Sequence, residues 1–127
     1  MKRILSILCL AILVLTAASC KKENVVAPGA ITFFTKANNW TTADNGITYT
    51  ADVPVQAIDS YYDSNGAVLV YNDLGSGEYE QLPSVYGGIT YRFTYTLGHV
   101  YIDAQNSDGG STTPIPPNLN LKVVLID

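Results

Sequence analysis

The chain has 127 residues, seven basic and eleven acidic, for a net charge of −4 at neutral pH; this length holds one compact domain behind a short leader and excludes two. Beyond Lys22 the only basic residues are Lys36, Arg92 and Lys122, scattered along the chain, so the clustered cations that grip nucleic acid are missing. Cys9 and Cys20 are the only cysteines and His99 the only histidine, which excludes thiolate and histidine-rich metal centres and a disulfide-stapled fold.

The N-terminus comes first in chain order. Lys2 and Arg3 form a positive head, residues 4–15 an apolar run of 12, and Thr16-Ala17-Ala18-Ser19 a small-residue cleavage region directly before Cys20. Together they read as a secretory signal over residues 1–19, with Cys20 as the lipid-bearing first residue of the mature protein. An uncleaved membrane helix is the bland alternative, but residues 4–19 number 16, short of the ~20 needed to span the hydrocarbon core. Cleavage after Ala18 without lipidation is a third reading. The single departure from a lipobox is Ala17, where leucine is usual. Two or more acyl chains on Cys20 make a stable tether. Residues 21–29 (KKENVVAPG) carry no periodicity and end in Pro28-Gly29, so they read as a polar spacer with a reach of at most about 30 Å.

From residue 30 onward, alternating and β-branched or aromatic runs recur at 31–36, 46–53, 55–58, 67–72, 79–82, 89–96, 99–105 and 119–126. Turn chemistry separates them: Asp44-Asn45-Gly46, Ser64-Asn65-Gly66, Gly75-Ser76-Gly77, Gly87-Gly88 and Asp108-Gly109-Gly110. No long stretch repeats apolar residues at helical spacing. The pattern predicts an all-β domain over residues 30–127, a small antiparallel two-sheet sandwich of about seven or eight strands and immunoglobulin-like size. Residues 67–71 (AVLVY) and 123–126 (VVLI) are apolar on both faces and are expected at the centre of a sheet. Residues 109–118, with Pro114, Pro116 and Pro117, cannot donate a regular ladder and are expected to form a mobile surface loop.

The sharpest local expectation is a hairpin over residues 89–105. Ile89, Tyr91, Phe93 and Tyr95 alternate with Thr90, Arg92, Thr94 and Thr96, giving one apolar and one polar face. A two-residue turn at Leu97-Gly98 pairs Thr96 with His99, Tyr95 with Val100, Thr94 with Tyr101, Phe93 with Ile102 and Arg92 with Asp103. A slip of one residue would bury Arg92.

Catalytic constellations are sparse. No Gly-x-Ser-x-Gly elbow is present and no serine is placed against His99. Glu78 and Glu80, two apart on a strand, read as solubility charges on an exposed edge ahead of a glycosidase-like pair. Asp103, Asn106 and Asp108 lie close in sequence, as do Asp59 and Asp63, but neither group has the spacing of a calcium loop. No metal or cofactor is expected, and no enzyme activity. Aromatic side chains are the last candidates. Tyr49, Tyr91 and Tyr95 fall on apolar faces, whereas Trp40, Tyr61, Tyr62, Tyr79 and Tyr86 lie near breaks and are candidate ligand contacts. If extended, Tyr61 and Tyr62 point to opposite sides.

Several segments carry a family resemblance: Ser19-Cys20-Lys21-Lys22, then GAVLVY at 66–71, Leu82-Pro83, YRFTY at 91–95 and KVVLI at 122–126. Their order resembles small, functionally uncharacterised lipoproteins of Bacteroidota with a C-terminal β-sandwich domain. In that family a collagen-like stretch often precedes the sandwich, and here the short spacer stands in its place. The resemblance implies a cell-envelope protein held by lipid, at the outer membrane. It assigns no catalytic or binding residue. In that phylum acidic residues after the cysteine favour surface display; Lys21-Lys22-Glu23 departs from that pattern and leaves both membrane faces open. The function expected is a non-enzymatic binding module for a glycan or an envelope protein, with a purely structural lipoprotein as the alternative and a hydrolase as a distant third.

Overall fold

The computed structural model describes residues 29–127; the signal sequence, Cys20 and the spacer to residue 28 lie outside the described residues. Eight strands form in chain order: β1 (Ile31–Ala37), β2 (Thr48–Pro54), β3 (Ala67–Gly75), β4 (Glu78–Gln81), β5 (Ser84–Tyr86), β6 (Ile89–Thr96), β7 (His99–Asn106) and β8 (Leu119–Ile126). One short helix, α1 (Ser60–Ser64), lies between β2 and β3. The strands make two antiparallel four-stranded sheets, ordered β1-β8-β3-β4 and β2-β7-β6-β5, so the domain is the small β-sandwich that the alternation predicts. Among the described residues no helix is long and apolar enough to cross a membrane.

Alternation decides what lies between the sheets. Val68 and Val70 of β3 and Leu119, Leu121, Val123 and Leu125 of β8 are buried against Ala51 and Val53 of β2, Tyr91 of β6 and Val100, Ile102 and Ala104 of β7. Each fully buried valine, leucine or isoleucine contributes about 1.5–3 kcal/mol. The strands whose sequences are apolar on both faces take the central places, β8 between β1 and β3, and β3 between β8 and β4. The β6–β7 hairpin has the expected register throughout, from Thr96 opposite His99 to Arg92 opposite Asp103. Its turn is closed by Gly98 at φ 75°, a left-handed conformation that glycine adopts without steric cost.

Four local expectations are corrected. Residues 55–58 do not form a strand. Val55 and Ile58 are buried at a spacing of three, and the segment turns back on itself through Ile58 N–H to Val55 O at 3.0 Å. It is pinned to the β6–β7 turn by Val55 N–H to Gly98 O at 2.8 Å and Gly98 N–H to Ile58 O at 2.9 Å. Tyr61 and Tyr62 are helical, not extended. Asp59 caps α1 by accepting from the N–H groups of Tyr61 and Tyr62 at 3.0 and 3.2 Å, which satisfies donors that a first turn leaves orphaned. A strand unforeseen in the sequence, β5, follows the cis Leu82-Pro83 bond.

The proline-rich loop is anchored as well as exposed. Buried Thr113 donates through Oγ1 to Ile47 O at 2.7 Å, accepts there from Asn106 N–H at 2.8 Å, and sends its own N–H to Gly46 O at 2.7 Å. Trp40 Nε1 reaches Pro117 O at 3.2 Å. A buried threonine that bonds three backbone partners, two through its hydroxyl and one through its own N–H, is a stronger restraint than the prolines alone supply.

Candidate functional site

With two sheets packed face to face, each sheet keeps one outer face, and the two differ. On the β2-β7-β6-β5 sheet the outward residues are Thr48, Thr50, Asp52, Thr90, Arg92, Thr94, Thr96, His99, Tyr101, Asp103 and Gln105. Their charges are paired locally. Arg92 Nε donates to Asp103 Oδ2 at 3.2 Å, and Thr50 Oγ1 donates to Asp103 Oδ1 at 2.6 Å. His99 Nδ1 lies 2.7 Å from Asp52 Oδ1, and its ring stacks on Tyr101 with centroids 5.9 Å apart. This is a polar, self-satisfied surface.

The outer face of the β1-β8-β3-β4 sheet is aromatic, apolar and cationic. Register lays Phe34, Lys122, Tyr71 and Gln81 side by side across the four strands, a row about 14 Å wide at the usual strand spacing. Thr32, Val124 and Leu69 form the row on one side, and Lys36, Asn120, Asp73 and Tyr79 lie on the other. Phe34 is 66% exposed and Tyr79 39%. The Lys122 ammonium sits 3.8 Å from the Tyr79 ring centroid and 4.6 Å from that of Tyr71, a cation–π bridge that fixes both rings. Among the described residues Lys36 and Lys122 form no ion pair, whereas the third base, Arg92, is bound to Asp103. Beside Phe34 a shallow hollow of about 220 Å³ is lined by Lys36, Asp73 and Asn120. Asp73 Oδ1 also accepts from Gly75 N–H at 2.9 Å, where the β3–β4 ladder shifts register.

The five aromatic residues singled out in the sequence do not assemble into one patch. Tyr79 alone joins the face just described. Trp40 and Tyr62 are part-buried against the core, Tyr61 is exposed on α1, and Tyr86 is 65% exposed on β5 at the edge of the other sheet. The Tyr61 hydroxyl has its pKa raised, chiefly by its hydrogen bond to the Asp127 carboxylate. Cys20 lies outside the described residues.

The carboxylates weighed for chemistry are also placed. Glu78 is exposed, while Glu80 turns inward opposite Asn72 with Oε1 buried and unpartnered. Asp108 accepts from Gly110 N–H at 3.0 Å, Ser111 N–H at 2.9 Å and the Ser111 hydroxyl. The Ser111 hydroxyl is the main reason its pKa is lowered. Among the described residues no three His, Cys, Asp or Glu side chains are grouped to hold a metal ion.

Phe34, Tyr71, Lys36, Asn120 and Lys122 had no place among the sequence candidates, although a signal for them exists. In a two-sheet domain without covering helices, strands apolar on both faces must turn one of those faces outward. AVLVY and KVVLI carry that signal, and Phe34 stands on the same side by alternation in ITFFTK. Comparison with known proteins returns no matching family model, no matching curated protein and no matching solved structure.

Proposed function

We propose that this chain is an exported envelope lipoprotein, anchored by Cys20 at the outer membrane, and that it binds a glycan on the outer face of the β1-β8-β3-β4 sheet without catalysing a reaction. The leader and the resemblance to Bacteroidota lipoproteins support the address. One observation carries the ligand class: exposed Phe34 and Tyr79 flank Lys36, Asn120 and Asp73 on an open sheet face. A pyranose ring has an apolar C–H face and a rim of hydroxyls. It therefore suits aromatic surface set beside an ammonium, an amide and a carboxylate, which together donate and accept. A purely structural role is the second reading, favoured by the scatter of Trp40, Tyr61, Tyr62 and Tyr86.

The test is an oligosaccharide array, neutral and acidic, probed with the full chain and with Phe34→Ala and Tyr79→Ala. Retention lost in both variants and kept in Thr94→Ala, on the opposite face, is the expected result. Silence of the wild-type chain across the array ends the glycan reading, and an intact cell envelope phenotype that needs the protein but neither ring would favour the structural one.

A further inference from the structure

A β-sandwich has four sheet edges, and proteins normally blunt them because an open row of N–H and C=O groups recruits further strands. Three edges here are blunted. β4 is four residues long, carries Glu78 and Glu80, and follows a register shift at Asp73/Gly75. β5 has three residues. β2 ends in Pro54, and its open side is occupied by Thr41, which exchanges N–H to O bonds of 2.9 and 2.8 Å with Thr50.

Among the described residues the fourth edge, β1, has none of these devices beyond one lysine. It is seven residues long (ITFFTKA), paired with β8 from Ile31 to Ala37 without a shift, and free of proline and glycine. Phe34 stands at its midpoint, 66% exposed. On the core side of the edge a hollow of about 310 Å³ opens between Phe33, Thr35 and residues 54–57.

We propose that β1 is a self-association edge, pairing antiparallel with β1 of a second copy about a two-fold axis at Phe34. The strand's own sequence selects this occupant. Centred on Phe34, the antiparallel register sets Phe34 opposite Phe34, Phe33 opposite Thr35, Thr32 opposite Lys36 and Ile31 opposite Ala37. No like charges meet, aromatic and β-branched residues are matched, and outward residues stay outward. Exposed Ile31 gains a cover, and the hollow beside Phe33 gives room for the partner's Phe33 and Thr35. Two four-stranded sheets become one of eight strands, with two aromatic faces joined side by side. This inference is independent of the ligand assigned to that face.

The experiment uses the full chain in mild detergent. Directly opposed residues of an antiparallel pair have Cα atoms about 4.5–5.5 Å apart, within the ~4.4–6.8 Å that a disulfide accepts. Under mild oxidation Phe34→Cys is expected to give a covalent dimer. Thr32→Cys and Lys36→Cys each fail alone and cross-link when mixed, with the wild-type chain as the control for native thiols. By sedimentation, wild type is expected to be a dimer and Phe34→Asp a monomer with an unchanged β circular-dichroism spectrum. A wild-type chain that stays monomeric to its solubility limit overturns the proposal. So does cross-linking that is equal at the three positions, or a dimer that Phe34→Asp leaves intact.

Discussion

The two outer faces of this sandwich grow from the same alternation, yet one is closed on itself and the other is open. On the β2-β7-β6-β5 sheet, threonines surround an Arg92–Asp103–Thr50 cluster and a His99–Asp52 pair, so its ionisable groups find partners within the molecule. On the β1-β8-β3-β4 sheet, Lys36 and Lys122 have no ion-pair partner among the described residues, and Phe34 and Tyr79 face solvent. Satisfied polar groups favour a surface that stays in water; exposed rings beside uncommitted donors favour one that gains by being covered.

The contrast is most easily broken by binding. Phe34→Ala combined with Tyr79→Ala is expected to weaken glycan retention at least about tenfold, ~1.4 kcal/mol, with no loss of fold, while Thr94→Ala with Thr96→Ala changes nothing. Equal losses from both pairs would erase the distinction between the faces.

Stability should respond in the opposite sense. Asp103→Ala removes the acceptor shared by Arg92 and Thr50, and is expected to cost about 1 kcal/mol once the 64% exposure of the Arg92 side chain is discounted. Urea unfolding measures this, and ligand retention should be untouched. Lys122→Met on the open face removes both ring contacts but keeps the aliphatic stem, for a loss of about 0.5–1 kcal/mol. A thermal shift larger than that of Asp103→Ala would mean that the open face is structurally more committed than its exposure implies.

The smallest effect is in the loop following β7. Asp108 has its pKa lowered by the Ser111 hydroxyl and by two backbone N–H groups. Its carboxylate therefore stabilises the fold above the ordinary aspartate pKa, and that contribution fades as pH falls through the lowered value. Asp108→Asn is expected to flatten the acid limb of a stability-versus-pH curve and to leave the neutral-to-alkaline limb unchanged.

Much of this architecture is legible in the residues because a half-buried strand writes its register in alternation. The β6–β7 hairpin could be paired residue by residue, since only one register keeps Arg92 in water opposite a carboxylate. Residues 55–58 were legible as apolar but not as a turn, because a spacing of three over four residues mimics a short strand. Their hydrogen bonds lead to Gly98, about 40 positions away. Thr113 was invisible for the same reason: its partners are Ile47, Gly46 and Asn106. The aromatic face was half legible. Tyr79 stands out beside a glycine turn, whereas Tyr71 and Phe34 sit inside apolar runs that look like core until the number of covering layers is counted.

The place of β8 has a consequence for how the chain is made. The last strand in sequence fills the gap between the first and the third, so the first sheet lacks a central member until the C-terminal residues are available. Closing it requires contacts between residues as far apart as Ile31 and Leu125, the kind of long-range pairing that slows folding. The order of the strands is thus itself a delay, released only when the C-terminal residues are in place.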